Sequence, residues 1–246
     1  MQINRTICIA TLSLAVACLM SCRSGSSEHS VNSTAPSLPA TQDSELKATY
    51  DGLGQSGGKV FALDPKQSDV RIYAFRGGPF AKVGHNHVLS APMFTGYFYQ
   101  PPTGGTGTRF DLEFRLDALE IDNPEYRSKL GPAFASKLSA PAIEGTRDHM
   151  LGADNLEADK FPLVTVKSLE ITGETPKFTV KVQMTLHGQQ RQLLVPLTVE
   201  GLPDQLVVTG AFSVRQTDFG AKPYSVLGGL MTVEDEVVIE FRLTGH

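Results

Sequence analysis

The sequence has 246 residues, of which 41% are hydrophobic and 20% are charged, a mixture typical of a folded globular domain. Its 22 basic and 26 acidic side chains give a net charge of -4, so no long basic surface is available to neutralise phosphates, and nucleic acid is excluded as a partner class. The three cysteines lie within the first 22 residues, which excludes disulfides, Cys-ligated zinc and a Cys nucleophile from the folded region.

Residues 1–21 have the pattern of a lipoprotein signal peptide. Arg5 supplies a positive charge, and residues 7–20 form an apolar stretch interrupted only by Thr and Ser. At 1.5 Å per residue this stretch reaches roughly 20 Å, short of the roughly 30 Å of a bilayer's hydrocarbon core. We therefore expect the segment to be removed rather than to remain as a membrane helix.

Leu19-Met20-Ser21-Cys22 resembles the bacterial lipobox, in which a small residue precedes a lipidated cysteine. The sequence therefore predicts that Cys22 becomes the lipidated N-terminus of the mature protein. Multiple acyl chains would anchor it stably to a membrane. We expect a place in the bacterial cell envelope, on the periplasmic side, with the outer membrane as the preferred anchor. In the alternative, cleavage after Ala15-Val16-Ala17 would leave Cys18 and Cys22 free to pair.

Residues 22–58 are rich in Ser, Gly, Thr and Pro and show no sustained apolar period, so they are predicted to be a flexible tether. The folded domain is predicted to cover residues 59–246.

In that domain apolar and polar residues alternate with a period of two, which is typical of strands with one buried face. The alternation predicts about eight strands, at residues 69–75, 93–100, 110–116, 163–171, 178–186, 195–199, 208–214 and 237–243. Ten apolar residues on these strands are predicted to line the interior: Phe110, Leu112, Phe114, Phe178, Val180, Val182, Met184, Phe212, Ile239 and Phe241.

Residues 122–162 interrupt the strand pattern. Asn123-Pro124 is a helix start, and residues 147–156 are compatible with a helix before Phe161-Pro162 stops it. We expect one or two short helices here. Together with turns rich in Gly and Pro, the pattern favours an all-β fold, either an eight-stranded antiparallel barrel or a sandwich.

Gly84-His85-Asn86-His87 is the candidate polar site, because two histidines two residues apart on a strand share a face. They could hold a metal with a third ligand from elsewhere, for which the candidates are His149, His187, Asp148 and Asp218. In a second interpretation both imidazoles bond loop carbonyls or rim water. We prefer a third, in which His85 and His87 bind the polar head of a lipid. No catalytic residue is predicted, since no nucleophile motif occurs. No bound metal or other cofactor is predicted either.

Several segments, spanning residues 60–243, resemble the YceI-like polyisoprenoid-binding family. The opening Phe61-x-Leu63-Asp64-Pro65-x-x-Ser68-x-Val70 is similar to the family's first strand. The later segments that carry the resemblance are Arg147-Asp148-x-x-Leu151 through Phe161-Pro162, Leu186-His187-Gly188, Val195-Pro196-Leu197, Gly210-x-Phe212, Asp218-Phe219-Gly220 and Val233-x-Asp235-Glu236-Val237.

The resemblance implies a lipocalin-like barrel that is exported to the periplasm and holds a polyisoprenoid lipid, such as a ubiquinone or a polyprenyl phosphate, in an apolar cavity. It implies binding rather than catalysis. Besides the metal hypothesis, a third alternative is a barrel filled by its own side chains that presents residues 122–160 to a partner in the cell envelope; the sequence identifies no such protein partner.

Overall fold

The structure is a computed structural model that describes residues 40–105 and 107–246. Its twelve strands among these residues are β1 Lys59–Ala62, β2 Asp69–Gly77, β3 His87–Ser90, β4 Thr95–Gln100, β5 Arg109–Arg115, β6 Glu120–Ile121, β7 Leu163–Glu174, β8 Lys177–Leu186, β9 Gln189–Glu200, β10 Leu206–Arg215, β11 Ser225–Val226 and β12 Met231–Gly245. Short 3-10 helices lie at Ala81–Val83, Leu116–Ala118, Pro132–Phe134, Gln216–Phe219 and Leu227–Gly229.

The strands form one antiparallel sheet that curls into a barrel, in the order β1-β4-β5-β7-β8-β9-β10-β12-β2-β3-β6, with β11 added beside β12. The eight strands predicted from the period-two pattern correspond to the eight that have six or more residues. The other four have four residues or fewer, and segments that short carry no readable period. The all-β barrel prediction is therefore confirmed.

The segment after β1 joins the two sides of the curled sheet. Leu63 N–H donates to Gly96 O of β4 at 2.9 Å, while Ala62 and Asp64 donate to His246 O and Thr244 O at 2.9 and 2.8 Å. One short stretch thus bonds β4 on one side and the end of β12 on the other, which links two distant parts of the curled sheet.

The hydrophobic core lies on the inner face of this sheet. Phe61, Val164, Leu206 and Phe219 are almost completely buried there. Alternation sends every second side chain of a strand to this face, so the apolar half of each strand meets the others inside the barrel.

Two short helices follow the predicted interruption of the strand pattern. Helix α2, Pro124–Lys129, begins as expected, because the Asn123 side chain accepts hydrogen bonds from the N–H groups of Glu125 and Tyr126. Helix α3, Ala140–Leu151, starts seven residues earlier than the predicted stretch 147–156 and ends before Gly152. Ser139 caps it and Pro141 sits in its first turn, a start motif that the sequence analysis overlooked.

A third helix, Ala40–Gln55, corrects the predicted tether. This helix is α1, the first in chain order, and Tyr50 on it is completely buried. Its ring stacks on Tyr97 of β4, and its hydroxyl donates to Asp111 Oδ2 of β5 at 2.9 Å. The tether prediction is therefore wrong for residues 40–55. Residues 1–39, including the predicted signal peptide and Cys22, lie outside the described residues.

This helix also changes the expected outer face of β5. Asp111 and Glu113 alternate with apolar residues along β5, a pattern that predicts side chains facing water, yet both are buried. Helix α1 covers this part of the sheet, and Arg109 Nε donates to Asp111 Oδ2 at 2.8 Å. Burial, together with the Asp111 carboxylate, raises the pKa of Tyr50 well above its usual value, so the hydroxyl remains a donor.

None of the helices in the described part of the chain is both long and apolar enough to cross a membrane.

Candidate functional site

The interior of the barrel contains a cavity of about 890 Å³. It extends from the end of the barrel where β10 finishes and β12 begins, which α3 partly covers, to the opposite end at the β7–β8 turn. We call these the α3 end and the far end. The volume lies in the upper part of the range for ligand pockets, roughly 300–1,000 Å³.

The structure places all ten predicted interior residues on the wall of this cavity: Phe110, Leu112, Phe114, Phe178, Val180, Val182, Met184, Phe212, Ile239 and Phe241. They come from β5, β8, β10 and β12, and their period-two spacing turns each of them inward. Their contact with a ligand stays a prediction.

The cavity contradicts the hypothesis of a barrel filled by its own side chains. A space of about 890 Å³ is far larger than the few water-sized voids of a close-packed core. Its largely apolar wall is of the kind that ligand pockets present.

Polar side chains on the wall are concentrated near the two ends. At the α3 end they are His87, Thr146, His149, Asn155, Gln216 and Tyr224, and at the far end they are Gln100, Thr108, Glu174 and Thr175. The middle is surrounded by Val, Leu, Ile, Met and Phe side chains. This distribution suits a slender ligand with a long apolar body.

His87 opens β3 and contributes an imidazole to the cavity wall. It donates Nδ1–H to Asp122 Oδ2 at 2.6 Å. The completely buried Asp122 carboxylate also accepts from the Val88 N–H at 3.1 Å and from Arg127 Nη1 at 2.5 Å. Because Nδ1 is occupied, Nε2 is the ring nitrogen left for a ligand.

The charges around Asp122 compensate one another. Burial alone would raise the pKa of this carboxyl, but the hydrogen bonds and charges of His87, the Val88 N–H and Arg127 outweigh burial and hold the pKa below its usual value. Arg127 is itself buried and donates to Asn86 O and to Ser136. An ionised Asp122 therefore fixes both His87 and α2 beside the cavity.

The prediction that His85 and His87 share a strand face is wrong. The strand begins only at His87, while His85 lies exposed in the preceding loop and does not line the cavity. Asn86 shapes that loop, since its side chain accepts from Arg76 N–H and donates to Ala133 O. Within residues 40–105 and 107–246, no three His, Cys, Asp or Glu side chains are grouped so that they could hold a metal ion.

His187 lies in the turn between β8 and β9 and supports the α3 end of the barrel. His187 and Gly188 both have positive φ, 51° and 69°, as a two-residue hairpin turn requires. The His187 ring donates Nδ1–H to Phe219 O at 3.0 Å, and its Nε2 lies 2.9 Å from Glu157 Oε2. The residue thus connects three loops and does not join the predicted ligand sets.

Sequence reasoning missed Asp122, Arg127 and the α3 residues on the wall. Asp122 lies 35 positions from His87, and no local pattern reports a pairing over that distance. The local sequence shows only that Asp122 directly precedes the Asn123-Pro124 helix start. The structure has a tight junction between β6 and α2 there, with φ 53° at Asp122.

Comparisons with known proteins agree with this architecture. Burkholderia cenocepacia BcnA is 16% identical in its crystal structure, with a TM-score of 0.56 over 75% of this chain and 99% of that chain. A polyisoprenoid binding domain from Saccharophagus degradans, implicated in plant cell wall breakdown, is 14% identical, with a TM-score of 0.52 over 76% of this chain and 97% of that chain. At such identities the likeness shows a shared fold.

The search of curated proteins gave no match. The family model of the YceI-like domain matches residues 61–245, which is most of the chain and nearly the whole barrel. The protein therefore belongs to the YceI-like domain family.

Proposed function

We propose that this protein binds one long apolar lipid of the polyisoprenoid type, such as a quinone or a polyprenyl phosphate, in its barrel cavity and carries out no reaction on it. The observation that carries the proposal is the apolar cavity of about 890 Å³ that runs between the two ends of the barrel. Membership of the YceI-like family and the structural likeness to a polyisoprenoid binding domain support the choice of ligand.

The energetic argument rests on area. At roughly 25 cal/mol for each Å² of apolar surface removed from water, burying several hundred Å² of a prenyl chain contributes roughly 10 kcal/mol before the cost of immobilisation. A polar head group gains far less from such a wall and belongs at a place where hydrogen-bonding groups are found. The ligand chain is therefore assigned to the middle of the barrel.

We assign the head group to the neighbourhood of His87. Its Nδ1 is held by Asp122, which fixes the orientation of the ring, and Nε2 has no hydrogen-bond partner among the described residues. A quinone carbonyl or a phosphate oxygen can accept from a ring N–H, and a hydroxyl can donate to an unprotonated ring nitrogen. His85 is exposed and carries no part of this assignment.

We further propose that Cys22 is lipidated and that the barrel faces the periplasm from an anchored position on a membrane, by preference the outer membrane. The support is the lipobox-like sequence Leu19-Met20-Ser21-Cys22. Residues 22–39 would then be all that joins the anchor to helix α1. Mass spectrometry of the mature N-terminus tests this directly, since acylated Cys22 and a free residue 18 differ in mass and in sequence.

The ligand is tested by solvent extraction of the full chain purified from a bacterial envelope. Val182 and Gln183 are neighbours on β8, and only Val182 lines the cavity. Val182→Trp fills part of the cavity, so we expect several-fold less prenyl lipid in the extract, whereas Gln183→Trp should retain the wild-type amount. Equal amounts in both variants, or no prenyl lipid in the wild type, would refute the proposal.

A further inference from the structure

Exposed large apolar side chains are concentrated in two loops. Among the described residues the structure has eight such side chains, and five of them belong to residues 78–84 and 222–230: Phe80, Val83, Tyr224, Leu227 and Leu230. We call these two segments the apolar loop pair. Phe80 is 50% exposed and Leu227 is 67% exposed. Exposed apolar side chains that are grouped in this way are typical of interaction surfaces.

The two loops form one unit. Phe80 N–H donates to Leu230 O at 2.8 Å, and Gly78, with φ 82°, packs directly on the same carbonyl. Leu227 has a positive φ of 53°, which a branched side chain adopts at a cost. At this position the Leu227 side chain stays largely exposed and does not pack onto the barrel.

The apolar loop pair is continuous with the mouth of the cavity at the α3 end. Tyr224 belongs to the pair and also lines the cavity. Its ring contacts the His149 ring of α3, with centroids 4.5 Å apart, and His149 lines the cavity as well. The two aromatic rings thus connect the wall of the barrel with the exposed loop tips.

The two loops themselves carry only basic charges. Residues 78–84 and 222–230 contain Lys82 and Lys222 and no acidic residue, although the chain as a whole has a net charge of -4. The Glu234 carboxylate lies at the base of the loops, beside Gly77. Both lysines are exposed and take part in no ion pair between described residues. Apolar tips flanked by cations match the interface of an anionic bilayer, where each cation near the surface contributes about 1 kcal/mol.

We propose that the apolar loop pair docks the mouth of the barrel onto an anionic membrane surface, so that an apolar ligand passes between bilayer and cavity without crossing water. The docking rests on the proposed function for its purpose, but its geometry stands on the loops alone. The partner is the lipid surface itself, and the lipid anchor at Cys22 supplies proximity without fixing which face of the barrel meets the membrane.

The chain contains no tryptophan, so one introduced indole reports on a single position. Leu227→Trp places it in the apolar loop pair, and Leu194→Trp places it at an equally exposed position, 68%, in the middle of β9. The full chain of each variant is mixed with vesicles of phosphatidylglycerol and phosphatidylethanolamine that contain brominated acyl chains. We expect strong quenching and a blue shift for Leu227→Trp and neither for Leu194→Trp.

Equal quenching of the two variants, or quenching of neither, would overturn the docking proposal. A second pair keeps the test independent of the indole. It uses the full chain with Cys22→Ser, which removes the proposed acyl anchor. In this background Phe80→Ser with Leu227→Ser should lower binding to the same vesicles about tenfold or more. The control is Leu169→Ser with Leu194→Ser, at positions that are 49% and 68% exposed, and it should bind like the Cys22→Ser parent.

Solvent extraction of the same preparations separates this proposal from the proposed function. Prenyl lipid in the extract without selective quenching of Leu227→Trp would overturn the docking surface alone. Selective quenching without any prenyl lipid would leave the docking surface in place and remove the ligand assignment.

Discussion

At the scale of single residues, Asp122 holds together the polar groups beside the cavity. Its carboxylate accepts from His87, the Val88 N–H and Arg127, and its side chain is completely shielded from water. A buried ion pair of this kind adds little net stability compared with apolar side chains, but removing one partner leaves the other charge unpaired. Asp122 is therefore the residue at which a change of one atom has the largest expected effect.

We expect Asp122→Asn to lower the free energy of unfolding at neutral pH by about 3 kcal/mol, because Arg127 stays buried without its counter-charge. Urea denaturation measures the difference. Asp117→Asn is the control, since Asp117 pairs with Arg115 in a partly exposed position and should cost less than about 1 kcal/mol. A similar loss in both variants would contradict the role given to Asp122.

The same comparison has an expected pH dependence. The pKa of Asp122 is lower in the folded chain than its usual value of about 3.9, so its stabilising contribution is present above about pH 4 and is lost as the pH falls through the lowered folded-state pKa. The difference in unfolding free energy between wild type and Asp122→Asn should shrink as the pH falls from about 5 to below about 4. A difference that grows on acidification would show that another group dominates.

His87→Ala tests the head-group assignment. It removes one donor to Asp122, so we expect about 1–2 kcal/mol of destabilisation together with a changed head group or lower occupancy in the extracted lipid. His85→Ala should leave both unchanged, since His85 lies exposed outside the cavity. Identical extracts from both variants would remove His87 from the site.

At the scale of elements, the sequence predicted the long strands well and the N-terminal helix not at all. Strands such as β8 alternate apolar and polar residues over ten positions, and burial follows that alternation. Helix α1 buries one large residue, Tyr50, against the outside of the barrel, so it shows no apolar stripe. Its partner Asp111 lies 61 positions away, a distance over which single-sequence patterns carry no information.

Tyr50→Ala tests whether α1 belongs to the folded domain. We expect a loss of about 3–5 kcal/mol in unfolding free energy, because the change removes a buried ring and leaves the Asp111 carboxylate without its hydroxyl donor. Lys47→Ala on the exposed side of the same helix should leave the stability almost unchanged. Wild-type stability of Tyr50→Ala would restore the tether interpretation for residues 40–55.

At the scale of the whole molecule, the sequence predicted an apolar interior but left open whether it is filled. The same Phe, Val and Met residues line the wall of a cavity or pack as a core, depending on how widely the sheet curls. The curl depends on pairings between distant strands, such as β12 with β2, and on the closing segment at Ala62–Asp64, none of which a period reveals. Only the assembled barrel distinguishes a core from a binding site.

The account as a whole depends on an occupant for this cavity. Native mass spectrometry of the full chain, purified from a bacterial envelope without organic solvent, counts the ligands on each molecule. We expect one apolar ligand per chain, in species whose masses differ by whole isoprene units. A chain that is empty in every preparation, or one whose bound species lack the isoprene spacing, would contradict the central claim.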